Sequence, residues 1–159
     1  MSRLRYLVIH LSLVVALILM ILPLPDWAQM YRPNWMALML IYWSMALPKR
    51  VGLWFAFFGG IVLDTSLGTL LGQHTLALVV IIFFNLNFYQ RIRVLALGQQ
   101  AIYVFFLLLI NQVIVAWVEG ILGRPTPVLA YFGAPFIGML IWPWVFIVLR
   151  DIRRKAMLR

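Results

Sequence analysis

The chain contains no cysteine. That excludes disulfides, a cysteine nucleophile and thiolate metal sites, and leaves the compartment open. Acids are scarce as well, with 4 Asp and Glu against 13 Lys and Arg, and charged residues make up 11% of the whole. There are 2 histidines. His10 and His74 fall near opposite membrane faces, so they cannot share a metal. No phosphate loop, dinucleotide fingerprint or zinc motif is present, and Ser66 lacks the Gly-x-Ser-x-Gly elbow of a hydrolase. Asp64, Ser66 and His74 invite a triad, but residues two apart on a helix point to different faces, and triads are defined by geometry. No enzyme, metal or cofactor is expected. The net charge of +9 would suggest nucleic acid in a soluble protein. Here no loop is long enough to build such a module.

What fills the chain is apolar, with 65% hydrophobic residues in 159, outside the range of ordinary soluble domains. Six apolar runs occur, at 6–22, 35–47, 51–72, 75–89, 97–122 and 128–149. A membrane span needs about 20 mostly apolar residues, so six spans consume nearly the whole length. The expectation is an all-α polytopic membrane protein, one integral membrane domain over 1–159. Met1-Ser2-Arg3-Leu4-Arg5 before the first run looks like a signal peptide. The run is long for one, and Pro23-Leu24-Pro25-Asp26-Trp27 offers no small-x-small cleavage site, so an uncleaved first helix is expected.

The basic residues give the orientation. Arg3, Arg5, Lys49, Arg50, Arg91, Arg93, Arg150, Arg153, Arg154, Lys155 and Arg159 lie in the ends and gaps on one side, and only Arg32 and Arg124 lie on the other. Cytoplasmic loops carry this excess. The reading is six transmembrane helices with both termini cytoplasmic. Each basic residue beside an anionic leaflet contributes about 1 kcal/mol. Lys49, Arg50, Arg91, Arg93, Arg150, Arg153, Arg154 and Lys155 are therefore expected to contact anionic lipid or cytoplasmic partners.

The runs have individual character. Pro23 and Pro25 end the first, because proline cannot continue a helix. Trp27, Tyr31 and Trp35 suit the interfacial aromatic belt. The second run is short for a span and stops at Pro48-Lys49-Arg50. The third places Gly52, Ala56, Gly60, Asp64, Gly68 and Gly72 every four positions. Small residues let helices approach closely in membranes, so Gly52, Ala56, Gly60, Gly68 and Gly72 are helix-packing candidates and this span is expected to be the most buried. The same run also admits a broken helix around Thr65-Ser66-Leu67-Gly68. Asn85, Asn87, Asn111 and Gln112 either line a small polar cavity or, the reading preferred here, hydrogen-bond between helices. The sixth run, with Gly133, Pro135, Gly138 and Pro143, should be kinked at Trp142-Pro143-Trp144. Arg-Pro precedes both the second and the sixth run.

Asp64 is the sharpest signal. A continuous helix from Val51 would carry it about 20 Å from the inner end, where an acid needs a partner, a proton or water. Arg32 or Arg124 is the expected partner. The functional reading, preferred here, is a ligand, ion or partner contact, and the alternative is a structural ion pair or a helix-breaking cap. Glu119 is expected to be an interfacial acid paired with Arg124.

Taken in order, Arg32-Pro33-Asn34-Trp35, Tyr42-Trp43, Ala46-Leu47-Pro48-Lys49-Arg50-Val51, Gly60-Ile61-Val62-Leu63-Asp64-Thr65-Ser66-Leu67-Gly68-Thr69-Leu70-Leu71-Gly72 and Trp142-Pro143-Trp144 before a basic tail resemble the MreD family. That family supplies the small membrane subunit of the bacterial rod-shape machinery. The resemblance covers essentially the whole chain. It implies an inner-membrane scaffold without enzymatic activity. Such a protein associates with MreC, a bitopic periplasmic protein, and acts with the filament MreB, the glycosyltransferase RodA and a class B penicillin-binding protein in lateral peptidoglycan synthesis. It also implies a bundle similar to the substrate-binding subunits (S-components) of energy-coupling-factor (ECF) transporters. On that reading Arg32, Pro33, Asn34, Asp64 and Glu119 are partner- or ligand-binding candidates, and Arg32, Asn34, Asp64 and Glu119 are expected to form one buried cluster under the outer face. Two other classes compete. A vitamin-type uptake subunit would carry a ligand and an ATPase partner, and an ion conductor would line a path with Asp64 and the amides.

Overall fold

The computed structural model describes residues 2–29, 31–124 and 128–157. Pro125, Thr126 and Pro127, between the fifth and sixth runs, and Arg159 of the basic tail, lie outside the described residues. The helices run in the order α1 Ser2–Ile21, α2 Asp26–Gln29, α3 Trp35–Ala46, α4 Leu53–Leu67, α5 Gln73–Ile92, α6 Leu97–Ile121 and α7 Val128–Met157, with no strand among the described residues. Four of them, α1, α5, α6 and α7, are long and apolar enough to cross a membrane, while α3 and α4 are shorter apolar helices.

The central element is α3, which touches α1, α4, α5, α6 and α7. Every residue from Met36 to Met45 is buried. A helix apolar on all sides belongs inside other protein. Length gives a second reason. The 12 residues of α3 reach about 18 Å, short of about 30 Å of hydrocarbon, so longer neighbours surround it. This corrects the expectation that the third run is the most buried. In α4, Trp54 is 74% and Phe58 59% exposed, and their rings stack on each other and meet Phe57 edge to face on an outward apolar face. Small residues in α4 produce one close seam, not encirclement.

That seam is with α5. A Cβ on Gly60 would lie 2.4 Å from Thr75 Cα and 2.9 Å from its N, so the two backbones touch there, and Ala56 is fully buried on the same helix. The other small residues of the run do not pack helices. Nothing lies within 4 Å of a Cβ built on Gly52, Gly68 or Gly72. Gly68 and Gly72 have φ of +70° and +105°, a region that glycine enters without steric cost. Gly68 caps α4 and Gly72 opens α5. Run 51–72 is thus not one continuous helix: it stops at Leu67 and turns through 68–72.

Other ends are closed by side chains. Asn34 Oδ1 accepts the Ala37 N–H at 3.1 Å and starts α3. Arg32 donates from both terminal nitrogens to the carbonyls of Met20 and Leu22 at the end of α1, groups with no partner inside the helix. Gln100 donates to the carbonyls of Ile92, Arg93 and Leu95, and its Oε1 accepts from Trp142 Nε1 at 3.4 Å, so it ties the end of α5 to α7. α7 runs on through Pro135 and Pro143.

Candidate functional site

At the α4–α5 turn, Asp64 is fully buried. Its Oδ1 accepts from His74 N at 2.9 Å, His74 Nδ1 at 2.8 Å and Thr69 Oγ1 at 2.8 Å. Its Oδ2 accepts from Gly72 N at 3.0 Å, Thr75 N at 3.2 Å and Thr75 Oγ1 at 3.0 Å. A carboxylate offers about four lone-pair directions, so this one is saturated. Three of the donors are amides at the very start of α5, where the unpaired N–H groups and the positive end of the helix dipole favour an anion. Asp64 therefore caps α5 from the preceding helix.

This corrects the expected pairing. Among the described residues Asp64 meets the His74 imidazole and Arg150 meets Asp151, and neither Arg32 nor Arg124 reaches Asp64. The expected single cluster of Arg32, Asn34, Asp64 and Glu119 does not form, because Arg32 and Asn34 are committed to the ends of α1 and α3. Pro33 is buried between them. Ser66 is exposed on the last turn of α4, so no triad assembles. The sequence did not single out Thr69 and Thr75, and it raised His74 in a triad with Ser66, not as a donor to Asp64. Their signal was the pair of glycines enclosing Gly68-Thr69-Leu70-Leu71-Gly72, which marks a turn able to fold its amides onto an acid.

Glu119 sits beside this turn. Its Oε1 accepts from Gln73 Nε2 at 2.8 Å, while Arg124 contributes only its backbone N–H, to the Glu119 carbonyl at 2.9 Å. Gln73 is 2% exposed, and its Oε1 has no partner. The Glu119–Gln73 pair is half-open, since Glu119 is partly exposed. It joins α6 to the first residue of α5, next to His74.

The amides divide. Asn85 Nδ2 donates to Ile41 O at 3.1 Å and Ser44 Oγ at 2.5 Å, and Tyr103 Oη donates to Asn85 Oδ1 at 3.1 Å, so Asn85 ties α5 to α3 and α6. Asn87 is exposed, and Asn111 is buried with an unpartnered Oδ1. Among the described residues no three His, Asp or Glu side chains gather as metal ligands would.

The opposite end of the bundle is basic. Arg5 of α1, Leu47 after α3 and Arg153 of α7 share one small recess, and Arg93 after α5 joins Arg153 in a neighbouring cleft. Arg50 lies over the Tyr6 ring at 5.6 Å, Arg93 over Tyr89 at 5.9 Å and Arg150 over Phe146 at 5.9 Å. Lys49, Arg91, Arg154 and Lys155 are exposed around them. Long cationic side chains at helix ends lay their stems on apolar surface and keep their heads at the interface.

Comparison with known proteins gives the family. Residues 1–152 match the family model described as rod shape-determining protein MreD. The chain is 35% identical over 151 residues to the rod shape-determining protein MreD of Haemophilus influenzae, covering 91% of this chain and 90% of that one. No solved structure matches. The basic end, the central α3, the α4–α5 turn and the family match together span nearly the full length, and the chain belongs to the MreD family of rod shape-determining membrane proteins.

Proposed function

We propose that this protein is a non-enzymatic scaffold subunit of the bacterial elongation complex. It sits in the inner membrane with six membrane-embedded helices, α1 and α3–α7, and with both termini cytoplasmic. It associates with MreC and supports MreB-directed lateral peptidoglycan synthesis by RodA and a class B penicillin-binding protein. The family match over residues 1–152 carries this reading. The distribution of polar groups supports it. Asp64, Asn85, Gln100 and Arg32 are all spent on holding helices and turns together, which suits a rigid platform better than a transport path, where polar groups line a route.

The contact with a periplasmic partner belongs at the outer end, around Glu119 and Gln73. There a buried carbonyl oxygen is unpartnered and a carboxylate is partly open. Asp64 fixes the start of α5 beside Gln73, while Arg32, Pro33 and Asn34 close the ends of α1 and α3. The basic residues at the other end meet anionic lipid and cytoplasmic partners.

Pull-down of the full chain from native membranes in mild detergent, with mass spectrometry of proteins and small molecules, tests the proposal. Stoichiometric recovery of an MreC-like bitopic protein without a small ligand is expected. Recovery of an ATPase module or a vitamin-like compound would replace the scaffold with an uptake subunit.

A further inference from the structure

At the basic end, a cleft of about 150 Å³ opens between α3, the end of α5 and α7, lined by Tyr42, Met45, Ala46, Arg93, Phe146 and Arg153. That is room enough for several waters or for a tetrahedral oxyanion. Its polar lining is all cationic or donating. Among the described residues neither Arg93 nor Arg153 has a carboxylate partner, and no acid lines the cleft. The nearest acid in sequence, Asp151, is exposed and lies 3.9 Å from Arg150.

A second observation points to a ligand. Tyr42 is 1% exposed, and its hydroxyl has no hydrogen-bond partner. A buried hydroxyl without a partner is costly, and Tyr42 lies on the most enclosed helix of the fold, so its direction is fixed by packing. Phe146 of α7 and Trp43 of α3 meet its ring edge to face at 5.6 and 5.2 Å, and Trp142 packs on Phe146 in turn. The loop carrying Arg93 is pinned by Gln100. Two guanidinium forks and one hydroxyl around a phosphate-sized space match the geometry that recognises phosphate oxygens. Met45, Ala46 and Phe146 add an apolar wall where the carbon skeleton of a headgroup would lie.

We propose that this cleft binds a single phosphate group, held by Arg93 and Arg153 with the Tyr42 hydroxyl donating to one of its oxygens. Two sources carry that chemistry at this position, an anionic phospholipid headgroup in the adjoining leaflet and free phosphate. Basic pockets between membrane helices on the cytoplasmic side suit anionic headgroups. The site stands on its own geometry, so its failure would leave the partner test above unaffected.

The experiment is native mass spectrometry of the purified full chain in neutral detergent, with phosphatidylglycerol, phosphatidylcholine or inorganic phosphate added. One phosphatidylglycerol per chain is expected to survive where phosphatidylcholine does not. If inorganic phosphate instead binds and displaces the lipid at equal concentration, the site is a phosphate site of cytoplasmic supply. Arg93→Gln with Arg153→Gln should lower retention about tenfold or more, as loss of two contacts of about 1 kcal/mol each implies. Arg154→Gln with Lys155→Gln removes the same charge outside the cleft and should change retention by less than about threefold. Tyr42→Phe keeps the ring packing and should cost about threefold. Equal losses from the two double variants, or binding by the Arg93/Arg153 variant and Tyr42→Phe at the wild-type level, would overturn the proposal.

Discussion

Gly60 and Thr75 meet backbone to backbone: a methyl group on Gly60 would stand 2.4 Å from Thr75 Cα. Main chain cannot swing aside as a side-chain tip can, so the two helices would have to separate. Gly59, one residue away, offers a control, because its Cβ would rest 3.7 Å from the flexible Met36 sulfur. Overpacking a tight contact costs about 1–3 kcal/mol. Gly60→Ala is therefore expected to lower stability by about 2 kcal/mol. Gly59→Ala, in ordinary contact distance, should change it by less than about 0.5 kcal/mol. Thermal unfolding of both variants in the same detergent checks this, and equal midpoints would show that the α4–α5 seam is slack.

The Asp64 turn gives a sharper prediction. Asn keeps the size of Asp but replaces one accepting oxygen with an NH2 group, which would face the N–H groups of Gly72 and Thr75 and the Thr75 hydroxyl. Donor would meet donor. Asp64→Asn should then destabilise nearly as much as Asp64→Ala, by about 3 kcal/mol, the size expected when a buried charge-assisted network loses one member. Thermal unfolding of the two variants decides it. If Asp64→Asn is tolerated while Asp64→Ala is not, the carboxylate's charge is irrelevant to the cap.

How far the sequence reached, and where it stopped, follows from what each residue pairs with. The alternation of Arg and Lys between apolar runs was readable because it is a property of side chains alone. It predicted the basic end where Arg5, Arg93 and Arg153 meet. The partners of Asp64 and Arg32 were not readable. Asp64 binds backbone amides of Gly72, His74 and Thr75, and Arg32 binds backbone carbonyls of Met20 and Leu22. Every sequence supplies those groups, so composition carries no trace of them, and charge-to-charge pairing was the wrong guide. The place of α3 was hidden for a related reason. Runs 35–47 and 51–72 are about equally apolar. Only the shortness of the first, set by Pro33 and Pro48, indicated that other helices must enclose it. The small-residue spacing of run 51–72 reads alike at every fourth position, yet Gly60 lies against the Thr75 backbone while Gly68 and Gly72 adopt positive φ in the turn, a difference that spacing alone does not carry.

Asn85 should behave as an interhelical tie. It contacts the Ile41 carbonyl, the Ser44 hydroxyl and the Tyr103 hydroxyl. Hydrogen bonds between membrane helices average about 0.6 kcal/mol, because the separated helices also find partners. Asn85→Leu is expected to cost about 1–2 kcal/mol, and a double-mutant cycle with Tyr103→Phe should return a coupling of about 0.5–1 kcal/mol. A coupling near zero would mean that the Tyr103–Asn85 contact contributes nothing to holding α5 against α6.

Glu119 tests where the partner sits. Glu119→Gln keeps an oxygen able to accept from Gln73 Nε2, so the α5–α6 link survives with a neutral acceptor. The cost to stability should be about 1 kcal/mol, the difference between a charged and a neutral hydrogen bond. If the outer end receives the bitopic partner through this carboxylate, recovery of that partner should fall about fivefold, corresponding to about 1 kcal/mol, while the thermal midpoint falls by only about 2–4 °C. Arg124→Gln, which alters charge on the same side without touching the pair, is the control. Equal partner recovery from wild type, Glu119→Gln and Arg124→Gln would move the contact away from this end. The outward face of α4, with Trp54 and Phe58, would then be the next surface to substitute, because its aromatic rings are largely exposed.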